Sequence, residues 1–177
     1  MKAVAIGGIP ATGKSTLMKA ILKHVGVEQK FACGLLRGYL KGDTAFLGLY
    51  PSGDKFGGTD KLSMAVQKDY ERFLEEFDYN IIFEGDRLFT LKNLISLRDS
   101  HDARVIVLDN NPMTIAHRHI DREDNQSEKF IKGRVTKILN IIKSGEVPIE
   151  KYELNNLQET RNLAEDISGF LGLSPAN

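Results

Sequence analysis

Directly after the apolar run AVAI, the chain carries GIPATGKST, from Gly8 to Thr16. Residues 8–15 fit G-x-x-x-x-G-K-[ST] without a gap. So glycine-rich a turn costs backbone entropy where a strand has just ended, and a bound group must offset that cost. The glycines let successive N–H groups turn inward around an anion. Lys14 adds a point charge, and the Ser15 hydroxyl is placed for Mg²⁺. The helix that starts here directs its N-terminal dipole at the same anion. The spacing therefore predicts a strand–loop–helix unit in which Gly8, Ala11, Thr12, Gly13, Lys14, Ser15 and Thr16 hold a polyphosphate.

The rest of the chain alternates short apolar runs with amphipathic stretches, the pattern of an α/β fold with a mainly parallel sheet. KAVAIGG is a first strand, and KSTLMKAILKHVG a helix with Leu17, Ile21 and Val25 on one face and Gly26 to end it. FACGLLRGYLKGDTAFLGLY reads as two strands around a Gly42-Asp43 turn, an antiparallel hairpin added to the parallel core. DKLSMAVQKDYERFLEEF is a helix with Asp60 as its N-cap and Leu62, Val66, Phe73 and Phe77 buried. YNIIFEGDR is strand then turn, LKNLISLRD a short helix, and ARVIVLD a central strand. PMTIAHRHIDRE opens a helix at its proline, and SEKFIKGRVTKILNIIKSG forms another, capped by Ser127. EKYELNN is a last strand and LQETRNLAEDISGFLG a last helix, with Leu163, Ile167 and Phe170 on one side. About five core strands are expected in a single domain spanning 1–177, with helices on both faces.

Lysine plus arginine balance aspartate plus glutamate at 24 each, which does not indicate a globally basic nucleic-acid binder. The single cysteine, Cys33, forms no intramolecular disulfide, fits a small core position and suits a reducing compartment. No apolar run approaches the roughly 18 residues of a membrane span, and AVAI is too short for a signal peptide. A cytoplasmic protein is expected, with no membrane partner.

Glu84 falls at the carboxyl end of a predicted buried strand, where α/β folds place chemistry. A carboxylate there can hold Mg²⁺ together with Ser15. Asp86 can accept a proton from an attacking hydroxyl, and the roles of the two acids can also be exchanged. Arg87 can fork onto a phosphate. Asp109, ending RVIVLD, is a rival metal carboxylate but reads better as the cap of the helix at Pro112. Arg118 and Arg122 share a helix face, with Lys132 and Arg134 beyond, and suit a helical lid over residues 117–134 that closes on a transferring phosphoryl group. His117 and His119 are two apart and make no metal pair. There is no guanine-reading N-K-x-D. Asp54-Lys55-Phe56-Gly57 matches D-x-x-G in a loop with no strand before it. A small kinase is what remains.

GIPATGKST, FEGDR, HRHIDRED and the terminal strand–helix together resemble the nucleoside-monophosphate-kinase-like branch of P-loop kinases. That resemblance implies ATP and Mg²⁺ as cofactors, a five-stranded parallel sheet, a lid between the fourth strand and the last, and adenine read by the loop at Asn155 to Gln158. A narrower likeness, carried by GGTDKLSMAVQ, FEGDR and NQSEKFIKGRVTKILNI, is to phage-type kinases proposed to phosphorylate hydroxymethyluracil in DNA. Arg87 is followed by Leu88, so the D-R-Y/H of thymidylate kinases is missing. The region from 34 to 62 is the candidate acceptor site: Arg37, Lys41 and Lys55 for phosphates, Thr59 and Asp60 for a base edge, and Tyr39 and Phe56 for stacking. An acceptor base within duplex DNA would have to leave the stack. The expected partner is thus a nucleotide or nucleic-acid acceptor, with a thymidylate-kinase-type monophosphate kinase and an acceptor-free P-loop switch as alternatives.

Overall fold

The computed structural model describes residues 1–27, 29–51, 57–109 and 128–176. The elements are β1 (Lys2–Gly7), α1 (Lys14–Val25), β2 (Gln29–Cys33), β3 (Leu36–Lys41), β4 (Thr44–Leu47), a 3-10 turn (Thr59–Lys61), α2 (Gln67–Glu76), β5 (Asn80–Glu84), α3 (Leu91–Ser100), β6 (Asp102–Asp109), α4 (Glu128–Ser144), β7 (Ile149–Glu153) and α5 (Leu157–Leu171). The helix expected at Pro112, the Ser127 cap, the His117–His119 pair and the Asp54 motif position lie outside the described residues.

The strands form one sheet in the order β2-β3-β4-β5-β1-β6-β7. It has seven strands, not the five expected. The run β4-β5-β1-β6-β7 is parallel throughout, and β2 and β3 extend it antiparallel at the β4 edge. The Gly42-Asp43 hairpin is therefore no insertion. Its second strand, β4, lies between β3 and β5, and all four of its residues are buried. The extra strand, QKFAC, overlaps the start of the run read as the hairpin's first strand, which breaks in two at Gly34. Its turn is set from a distance: Gly34 sits at φ 59°, and the Leu35 amide donates to the Asp69 carboxylate of α2 at 2.7 Å. Cys33 is half-buried on this strand beside Arg72.

Alternation along β1 separates two cores. Ala3 and Ala5 pack with residues of α2, α3 and α4, while Val4 and Ile6 pack with Leu17, Met18 and Ile21 of α1 and Ile167 of α5. Gly26 ends α1 at φ 64°, as expected. The helix expected from Asp60 starts later, with Val66 at its N-cap. Residues 59–61 are pulled away to the end of β5, where the Thr59 hydroxyl donates to the Glu84 carbonyl at 2.9 Å. Leu62, Val66 and Phe73 are buried as expected, but Phe77 is 42% exposed. Tyr70 is buried as well, edge-on to Phe83. No helix among the described residues is long and apolar enough to cross a membrane.

Candidate active site

The parallel strands β1 and β5 deliver Gly7 and Glu84 to the same edge of the sheet. From there the 8–13 loop turns into α1. Gly8 has φ 140°, and a Cβ on it would lie 2.3 Å from the Leu108 carbonyl oxygen, so only glycine fits. Ala11 is the one described non-glycine residue with positive φ, at 66°. Such strain outside glycine concentrates at functional sites. The Thr12 hydroxyl donates to the Ile9 carbonyl, closing the loop on itself. Lys14 Nζ donates to the Gly8 and Ile9 carbonyls at 2.8 and 3.0 Å. α1 has Gly13 at its N-cap, no side-chain cap and no acid in its first turn, so its dipole stays directed at the loop. Thr16 is exposed on that first turn.

Opposite the loop, Ser15 Oγ donates to Glu84 Oε1 at 2.9 Å. Glu84 is 1% exposed. Burial pushes its pKa up to about 7, the Lys14 ammonium and the Ser15 hydrogen bond pull it back, and the Asp60 and Asp86 carboxylates raise it further. Gly58, at φ 85°, allows this carboxylate its place: a Cβ there would lie 2.3 Å from Glu84 Oε1. Asp60 also has a raised pKa, from burial first and then from Asp86. Its carboxylate accepts the Arg87 amide at 3.1 Å. Asp86 pairs with Arg134 Nε at 3.1 Å and with Lys137 Nζ at 3.9 Å, and Lys137 also donates to the Asp86 carbonyl at 2.7 Å. Helix α4 is thereby tied to the end of β5.

These groups surround a cavity of about 320 Å³, lined by the loop residues Pro10 to Ser15 (Thr12 apart) and by Asp60, Lys61, Glu84, Asp86, Arg87, Phe130 and Arg134. Arg87 Nε is buried there without a hydrogen-bond partner. The cavity thus joins hard oxygen donors to at least three cations, an arrangement suited to a phosphorylated ligand. Ser15 and Glu84 fit Mg²⁺, an ion that takes one or two protein oxygens and completes its shell with phosphate and water.

The structure brings Gly8, Ala11, Thr12, Gly13, Lys14, Ser15, Thr59, Asp60, Glu84, Asp86 and Arg87 to one end of the sheet. Arg37 is exposed on β3, and Tyr39 packs toward α1. Neither lines the cavity, and nor does Lys41. Asn155 is exposed at the end of β7, its amide donating to Glu159. Arg118, Arg122, Lys55 and Phe56 lie outside the described residues. Phe130, Lys137 and Gly58 escaped the sequence reading. A signal for two of them was present: Phe130, Arg134 and Lys137 recur at helical spacing and share one face of α4.

No protein-family model matches the chain, and no curated protein matches it significantly. Solved structures do. A sugar kinase from Janibacter sp. HTCC2649 aligns over 99% of this chain and 96% of its own, at 13% identity and a TM-score of 0.50. Its likeness speaks for the architecture alone. The chain shares the overall architecture of that kinase. Shikimate kinases from Bacteroides thetaiotaomicron and Acinetobacter baumannii, the second solved with shikimate, cover 97% and 96% of this chain and 98% and 93% of their own. Both are 13% identical, with TM-scores of 0.47 and 0.48.

Proposed function

We propose that the protein is a Mg-ATP-dependent kinase that transfers the γ-phosphoryl group to a hydroxyl on a nucleotide or nucleic-acid acceptor. The observation that carries this reading is the contact between Ser15 and the buried Glu84, made within one cavity that also holds Lys14, Asp86, Arg87 and Arg134. A phosphate cradle alone would suit any P-loop protein; the acid and the cations facing it suit transfer.

On this reading the loop amides and Lys14 grip the β- and γ-phosphates, with Lys14 exchanging its carbonyl partners for phosphate oxygens. Mg²⁺, held by Ser15 and Glu84, would neutralise charge on the same oxygens. Asp86 orients the acceptor hydroxyl and takes its proton as the new O–P bond forms and the bond from the γ-phosphorus to the bridging oxygen breaks, leaving ADP. The Ser15 contact favours this division of labour between the two acids. Arg87 and Arg134 face the transferring group, and Arg118 and Arg122 are proposed to join them from the lid.

The first choice of acceptor is the hydroxymethyl group of hydroxymethyluracil in DNA, supported by the likeness of FEGDR and the stretch from 125 to 141 to phage-type kinases. A monophosphate acceptor is the alternative. The decisive test incubates the protein with γ-labelled ATP and a panel of nucleosides, monophosphates, plain DNA and hydroxymethyluracil DNA. Label is expected in a base-bearing acceptor. Label released only as free phosphate overturns the transferase reading in favour of an NTPase switch.

A further inference from the structure

We infer that Phe130 and Arg134 form a stacking platform for a planar heteroaromatic ring of the acceptor, so that the substrate presents a nucleobase at the mouth of the cavity. The inference rests on the phosphotransferase reading and assigns the acceptor side of that same site.

Phe130 lines the cavity yet keeps 41% of its surface exposed. The exposed part of an aromatic side chain at the rim of a charged cavity gains by being covered with another flat surface. The Arg134 guanidinium lies over the ring with its carbon 4.7 Å from the ring centroid. Its Nε pairs with Asp86 at 3.1 Å. The guanidinium thus contacts both the ring and a carboxylate. Aromatic faces and guanidinium planes are the two protein surfaces on which bases stack. The geometry also links recognition to chemistry: Arg134 touches the platform and Asp86 at once, so a ring stacked on Phe130 lies one residue away from the proposed proton acceptor. Arg87, with its buried unpartnered Nε, stands across the same cavity to receive a phosphate or a base carbonyl.

The chain contains no tryptophan, so Phe130→Trp places the only indole of the protein at the site. Its emission, excited where tyrosine does not absorb, is expected to be quenched by thymidine, hydroxymethyldeoxyuridine and oligonucleotides carrying those bases, and left unchanged by glucose or shikimate. Free nucleosides compared with single- and double-stranded oligonucleotides distinguish a small acceptor from a base in a polymer. In the label-transfer assay, Phe130→Ala should raise the acceptor KM about tenfold or more while leaving the KM for ATP within twofold, and Phe130→Tyr should restore it. Quenching by ATP alone, or equally by glucose, overturns the platform. So does an unchanged acceptor KM in Phe130→Ala. Quenching by nucleosides without any label transfer leaves the platform standing and removes the kinase reading; transfer without quenching does the reverse.

Discussion

The two walls of the cavity are built in opposite ways. The phosphate wall is one contiguous stretch, residues 8–15, whose shape comes from local backbone conformation: Gly8 at φ 140°, Ala11 at 66° and Gly13 at 100°. The facing wall is assembled from residues 57–61, the end of β5 at 84–87, and the first turns of α4. Two of its three pieces carry positive-φ glycines, Gly58 at 85° and Gly85 at 109°, but the pieces lie far apart in the chain. They meet because Thr59 hydrogen-bonds the Glu84 carbonyl, Asp60 holds the Arg87 amide, and Lys137 and Arg134 reach Asp86. A site with one local wall and one assembled wall keeps its cofactor chemistry when the second wall changes. On the proposed reading the local wall holds the donor and the assembled wall meets the acceptor.

Substitutions in the two walls should separate donor from acceptor. Lys14→Ala should lower turnover about 10³-fold with a small change in melting temperature, because Lys14 Nζ donates to the Gly8 and Ile9 carbonyls within the loop itself. Steady-state rates beside a thermal melt check both halves. Normal turnover would remove the local wall from the reaction. Asp86→Asn should lower kcat for hydroxyl phosphorylation by about 10²-fold while nucleotide affinity, read by calorimetry, stays within a few-fold. Near-normal kcat would point to a monophosphate acceptor, which needs no proton acceptor.

Glu84 offers a test by pH. Its pKa rises from 4.5 to about 7 on folding, chiefly through burial. The folded state thus binds the proton more tightly than the unfolded chain. The stability this group contributes is full below its unfolded pKa and is lost as pH rises through about 7. Between pH 5 and pH 8, the metal-free protein should lose on the order of 2 kcal/mol more stability than Glu84→Gln does. Parallel denaturant titrations at the two pH values give the difference, and identical slopes would place the carboxylate in water rather than in the core. Toward the other end of β6, Arg104 binds Glu150 at 2.6 Å, Asp166 at 2.8 Å and Tyr152 at 3.2 Å. Arg104→Ala should cost about 1–2 kcal/mol of stability and leave kcat unchanged, since this cluster fastens β6 to β7 and α5 far from the cavity. A large drop in kcat would mean that the two ends of the sheet are coupled.

Much of the chain could be read locally. The parallel strands β5 and β6 are continuous apolar runs, α1 and α5 show their faces through four-residue spacing, and Gly26 stops α1 by its left-handed φ. The errors cluster where distant partners intervene. Asp60 has the chemistry of a helix cap but binds the Arg87 amide instead, which delays α2 to Gln67. QKFAC becomes a strand of its own because LRGYLK offers it an edge and because Asp69 holds the turn that separates the two. Phe130 and Lys137 look like ordinary members of an amphipathic helix until α4 lies against the end of β5.

By itself the sequence determined the glycine-rich loop, the strand before it and the helix after it, because each depends on dihedral preferences and hydrogen bonds among residues a few positions apart. Only the tertiary structure decided that Arg134 pairs with Asp86 and which ring stands at the mouth. Those choices depend on strand order and on contacts between residues tens of positions apart, and no local periodicity encodes them.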